Sequence, residues 1–226
     1  MLGAHLGPGG SGSPVVDAAA LLAAAGLGLF HGVNPAMGWL FALSYGLQER
    51  SARAIMRSLA WIVLGHEASV LPSALVIALF ASQVSRGVAM GVVAVLLLAF
   101  GVVLLLRRRH FRWVGMRLRP WQLAWWSFLM STTTGAGLML APVLLHTSAS
   151  HEQAVEGSLA AGLGAAVVVA LVHAAGMALA AGVVAVVVYG VVGLRVLRTH
   201  WVNLDLVWAL AFVVAGLGVV AAWWLG

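Results

Sequence analysis

Apolar residues run along this chain in six long blocks, near residues 16–47, 54–81, 86–106, 121–146, 158–189 and 205–225, separated by short polar or arginine-bearing stretches. A helix that crosses a bilayer needs ~20 mostly apolar residues, and each block supplies that many. The pattern predicts an all-α, polytopic membrane protein with six transmembrane helices. The first block is longer than a span requires: as one helix it would reach ~48 Å, against a hydrocarbon core of ~30 Å. It must tilt, protrude or break, and Asn34-Pro35 is the place where a helix would break.

Composition sharpens this picture. Of 226 residues, 63% are hydrophobic and only 8% charged, so little chain is left for a soluble domain and any site must lie in or at the membrane. There are no cysteines, which excludes disulfides, thiolate metal ligation and thiol-disulfide electron relay.

Charge sets orientation. Arg50, Arg53 and Arg57 lie in the first loop and Arg86 alone in the second. Arg107, Arg108, Arg109, Arg112, Arg117 and Arg119 lie in the third, and Arg195 and Arg198 in the fifth. Glu152 and Glu156 are in the fourth. The positive-inside rule makes the odd loops cytoplasmic and puts both termini outside. The net charge of +6 is thus topological and does not point to nucleic acid. Residues 1–15 read as a flexible external tail without the basic start of a signal peptide. Residues 107–120 read as a basic cytoplasmic loop that borders anionic lipid, with Trp113, Trp121, Trp125 and Trp126 at the interface.

Six spans with alternate loops inside suit two inverted three-helix repeats, over residues 16–106 and 121–226. The interval from Pro35 to His66 equals the interval from Pro142 to His173, so both pairs superpose at one offset without a gap. At that offset Gly28 meets Gly135, and Ala68 meets Ala175. Paired Gly- and Pro-interrupted spans at matching positions in two halves are a sequence pointer to a midplane binding site. Freed backbone groups are tolerated there only where they are buried or line a cavity.

The chemistry sits at the same depth. His31 and Asn34 fall in the first block, His66 and Glu67 in the second, Thr132, Thr133 and Thr134 in the fourth and His173 in the fifth. Ionisable groups at bilayer depth are costly and mark pathways or reaction sites. Imidazoles bind transition metals, so His31, His66 and His173 are candidate metal ligands for Zn, Cu or Ni. Asn34, Thr133 and Thr134 are candidate substrate-binding groups, although Asn before Pro is also turn chemistry and membrane threonines commonly bond their own carbonyls. Met37, one helical turn beyond Asn34, is a soft donor or ordinary packing. Glu67 is the one acid away from the ends of a block and the candidate proton carrier. His5, His110, His146, His151 and His200 fall in the tail or the loops and read as solvated.

The broken first helices, with FHGVNPAMGW and GHEAS as the segments that carry the likeness, resemble the LysE-type exporter superfamily. That resemblance implies two inverted three-helix halves and the transport of a small solute. Its electron-conduit branch uses two membrane cysteines, which this chain lacks, and its nickel/cobalt branch carries a His-x4-Asp pattern that His31 does not begin.

Three readings follow. The first is a multi-pass secondary transporter of the bacterial cytoplasmic membrane, exporting or exchanging a cation with proton coupling through Glu67. The second is an intramembrane metalloenzyme or redox protein using the same histidines, with a metal ion or, clamped by His66 and His173, a haem. The third is a structural subunit of a membrane complex. Expected partners are membrane lipid and a small ion or small molecule, and small-residue helix faces suit a homodimer.

Overall fold

A computed structural model describes residues 16–106, 119–154, 159–192 and 204–225, and within them all regular structure is helical. The external tail, the arginines from Arg107 to Arg117, and Arg195 and Arg198 lie outside the described residues. In chain order the helices are α1 (Ala18–Val33), α2 (Trp39–Glu49), α3 (Ala52–Gln83), α4 (Arg86–Leu106), α5 (Pro120–Thr134), α6 (Ala141–Ala154), α7 (Leu159–Val187) and α8 (Leu204–Leu225). Their outward faces carry large apolar side chains such as Leu64, Val76 and Val214, each at least 60% exposed. An apolar exterior of that extent belongs in a bilayer, and this is a multi-pass membrane protein.

Among the described residues three helices are long and apolar enough to cross a membrane by themselves: Ala52–Gln83, Arg86–Leu106 and Leu159–Gly190. The pair Trp121–Thr134 and Leu138–Thr147, bent by 54°, makes a fourth span if taken together. The block expected at 16–47 is divided into α1 and α2, and the last block yields a shorter apolar helix, Ala209–Leu225. Two of the crossing helices match closely. Ala52–Gln83 and Leu159–Gly190 are both 32 residues long, and the offset that carries His66 onto His173 carries each end of the first onto the same end of the second.

The break after α1 follows from Asn34-Pro35. Asn34 is extended (φ −67°, ψ 119°), as the ring of the following proline requires. Its Oδ1 accepts the Ala36 N–H at 3.0 Å, so it caps the 3-10 turn Pro35–Met37. Gly38, at φ 106°, then turns the chain into α2 in a conformation that a side chain would oppose. Trp39 Nε1 donates to the Val33 carbonyl at 3.0 Å, one of the acceptors that the end of α1 leaves open.

The second break corrects the sequence reading. The sequence points to Pro142 as the helix breaker, but the helix stops at Gly135, whose φ of 69° reverses the chain. Ala136 N–H donates to the Ser131 carbonyl at 2.9 Å and closes the helix end. Pro142 instead sits in the first turn of α6, where its missing N–H has no partner to lose.

The most extensive packing joins α1 to α7, α4 to α8, and α3 to both α5 and α7. Thus the first helix after each terminus or central loop packs on the long helix of the opposite half. Glycine makes these crossings close. A Cβ on Gly28 or Gly32 would collide with the carbonyl oxygen of His173 or Met177, and one on Gly65 with the carbonyl of Ala124. Small residues one turn apart on α1 let two backbones touch, which is how membrane helices associate without a hydrophobic driving force between them.

Candidate functional site

His31, His66 and His173 are each no more than 1% exposed, on three different helices, α1, α3 and α7. Their ring centres are 5.0 Å apart for His31 and His66, 5.2 Å for His31 and His173, and 5.4 Å for His66 and His173. The glycine contacts explain the meeting. Gly28 and Gly32 bracket His31 and press that turn of α1 onto α7 at His173 and Met177. Gly65, next to His66, does the same for α3 on α5.

The two long-helix histidines have matched surroundings. His66 Nδ1 is 2.7 Å from the Ser131 hydroxyl of α5. The Ala24 backbone of α1 lies against the His173 ring, without a well-formed hydrogen bond to either ring nitrogen. Ala24 and Ser131 stand at the same offset in the chain as His66 and His173. His66 Nε2 and both nitrogens of His173 are buried without hydrogen-bond partners. A buried polar atom left unpaired costs about 1–3 kcal/mol.

The spacing suits a metal ion. Three imidazoles bound to one tetrahedral ion through nitrogens at ~2.0–2.1 Å would have ring centres about 5 Å apart. The rings as they stand lie at 72°, 88° and 22° to one another. Among the described residues no group of three or more His, Cys, Asp or Glu side chains is yet set to hold an ion, so coordination requires the rings to turn about their side-chain bonds.

The remaining sequence candidates are placed differently. Asn34 is 7% exposed and its carbonyl oxygen is engaged in the turn cap. Thr133 and Thr134 donate to the Met130 carbonyl at 3.1 and 2.7 Å, the back-bonding that membrane threonines favour. Glu67 is adjacent to His66, with both carboxyl oxygens buried and without a hydrogen-bond partner. Met37 is buried in the core shared by α2, α3 and α7 with Met177, Leu43 and Ile55.

Two contacts escaped the sequence reading. Ser131, which precedes the candidate threonines and is not one of the candidates, is the hydroxyl that touches a histidine. The only hint was its repeat relation to Ala24, on the helix of His31. His146, which reads as a solvated loop residue, is on α6 and donates through Nε2 to Asp17 Oδ2 at 2.9 Å. Asp17 in turn caps α1, its Oδ1 accepting the Ala20 N–H at 2.7 Å.

No family model, no curated protein and no solved structure matches the chain.

Proposed function

We propose that this protein is a secondary transporter of a metal cation, built on the LysE-type plan. Six crossing segments in two inverted three-helix repeats, both termini outside, would carry a midplane site in a bacterial cytoplasmic membrane. The observation that carries the reading is the buried triangle of His31, His66 and His173. Three helices deliver three imidazoles to one point in a bilayer, at the spacing a single ion needs.

Several features support the repeat. The two long spans of equal length share one offset, and so do the His66–Ser131 and His173–Ala24 contacts. The packing of α1 on α7 is the counterpart of α5 on α3, as a two-fold relation between halves demands. Both α1 and α5 end inside the bundle, and a helix C-terminus carries partial negative charge. That polarity favours a cation beside imidazoles that bring no negative charge of their own.

In this mechanism the dehydrated ion exchanges water for the nitrogens of the three histidines. The triangle contains no acid, so Zn, Cu or Ni held there is matched to neutral borderline donors rather than to carboxylates. Glu67, its carboxyl buried one residue from His66, takes up and releases the coupling proton. Asn34, Thr133 and Thr134 shape the helix breaks on either side.

The deciding experiment is uptake of Zn, Cu or Ni into proteoliposomes with and without an imposed pH gradient, for the wild type and His66→Ala. Flux that needs the gradient and His66 is expected. Equal flux in both proteins, or none for any of the three ions, overturns the reading.

A further inference from the structure

A cavity of about 770 Å³ lies between α1, α4, α6 and α8. It exists because the helices on either side of it carry small residues. Ala23 and Gly26 of α1 line it, and so do Ala211, Ala215, Gly218 and Ala222 of α8. A Cβ on Gly26 or Gly218 would meet nothing within 4 Å. The close partner of α8 is α4 and that of α1 is α7, so the space between α1 and α8 stays open. Val214, on the outward face of α8, also lines the cavity, which is therefore open to the surrounding lipid.

The cavity has a length and a polarity. On α8 its lining runs from Ala211 to Ala222, which is ~16 Å of helix, about half of a ~30 Å hydrocarbon core and so the depth of one leaflet. The deep end, at Leu27, Phe30, Met139 and Ala211, is apolar. Arg86 and His146, the two polar side chains of the lining, are at the other end. Gly87, beside Arg86, faces Trp223 Nε1 near the end of α8, and His146 reaches Asp17 at the start of α1. Trp223 and Trp224 are exposed there, where an aromatic belt marks the membrane interface.

The charge at this mouth is uncompensated. Arg86 has no ion-pair or hydrogen-bond partner among the described residues. Asp17, the acid at the same end, is engaged by the Ala20 N–H and by His146. One free guanidinium thus stands at headgroup level above an apolar slot as deep as a leaflet. A neutral amphiphile would fill the slot and leave Arg86 unmatched, and a free anion would meet Arg86 and leave the slot empty.

We propose that this cavity is a binding site for an anionic phospholipid, its phosphate on Arg86 and an acyl chain running down the slot toward Met139 and Ala211. Basic pockets between membrane helices hold anionic headgroups in this way. The lipid enters sideways past Val214 from the adjacent leaflet. Seated there, it fills the gap that separates the α4–α8 pair from α1 and α6. The site stands apart from the histidine triangle and does not depend on the transport reading.

The test is native mass spectrometry of the full chain, stripped of lipid in detergent and titrated with phosphatidylglycerol or phosphatidylcholine of identical chains. Wild type is compared with Arg86→Gln, with Gly218→Leu, which fills the slot, and with Gly91→Leu. Gly91 also faces open space but lies outside the cavity lining, so it is the control. Wild type and Gly91→Leu are expected to bind the first phosphatidylglycerol about fivefold more tightly than phosphatidylcholine, the worth of one arginine near an anionic surface. Arg86→Gln should bind the two lipids equally, and Gly218→Leu should lose most of its binding of both. Equal binding of the two lipids by wild type overturns the site, as does a preference that survives Arg86→Gln. Gly218→Leu that binds like Gly91→Leu overturns it as well, because the acyl chain then lies elsewhere.

Discussion

Gly28 of α1 rests directly on the backbone carbonyl of His173 in α7, with no room for a β-carbon between them. The contact that joins the two helices is therefore the contact that sets the distance from His31 to His173. Packing and ligand geometry are one arrangement here, and substitutions that test one test the other.

Gly28→Leu should separate α1 from α7. Overpacking of this kind costs about 1–3 kcal/mol, with more expected where the obstacle is backbone. The melting temperature in detergent should fall by several degrees and metal binding should be lost with it. Gly26, on the same helix, faces open space, so Gly26→Ala should leave the melting temperature unchanged or raise it slightly. Equal effects at the two positions would contradict the close crossing.

Ser131→Ala removes the partner of His66 Nδ1. Hydrogen bonds between membrane helices average ~0.6 kcal/mol and reach ~1.7, so the loss of stability should be small. Groups that orient a metal-binding histidine matter more for the metal, typically about 10–100-fold in affinity. Nitrogen chemical shifts of a selectively labelled His66 should show a change of tautomer. An unchanged tautomer with unchanged affinity would remove Ser131 from the site.

Glu67→Gln and His173→Ala should fail in different ways. In the transport reading Glu67 carries the proton and the histidines hold the ion, so its neutral analogue should bind metal at equilibrium with near wild-type affinity while flux no longer responds to a pH gradient. His173→Ala should lose equilibrium binding by at least tenfold. Calorimetric titration in detergent and flux in proteoliposomes separate the two outcomes.

Asp17 gives a pH dependence outside the bundle. The Ala20 N–H, first among its interactions, and then His146 hold its carboxyl below the ordinary 3.8. Its contribution to stability is therefore present above about pH 4 and is lost as the pH falls through the lowered value in the folded state. Asp17→Asn keeps a side chain that caps a helix but brings no charge to His146. Thermal melts between pH 3 and pH 6 should show a shallower acid loss in Asp17→Asn than in wild type. Asp17→Ala should be less stable than both at pH 6.

The helices were legible because their cause is compositional. Ala52–Gln83, Arg86–Leu106 and Leu159–Gly190 begin and end close to the apolar blocks that announce them. The burial of His31, His66 and His173 was legible too, from position within a block. What the sequence concealed depends on conformations that more than one residue can start. Pro142 and Gly135 both disrupt helices, and only the left-handed turn at Gly135 shows which one does. Ser131 and Thr132 to Thr134 have similar hydroxyls, and helical rotation decides that only Ser131 faces His66. Asp17 and His146 are far apart in the chain and carry no pattern that links them.

The glycine-locked crossings also dictate what can move. Gly28 and Gly32 fasten α1 to α7, while Gly65 fastens α3 to α5, so each tight pair takes one helix from either half of the chain. α3 also packs extensively on α7, so in the transport reading a movement that opens the site between these interleaved pairs would run across that contact. His31 and His173 travel on one body and His66, with Ser131, on the other. In the transport reading, an ion held by all three histidines would bridge that joint, and its departure would free the two bodies to slide.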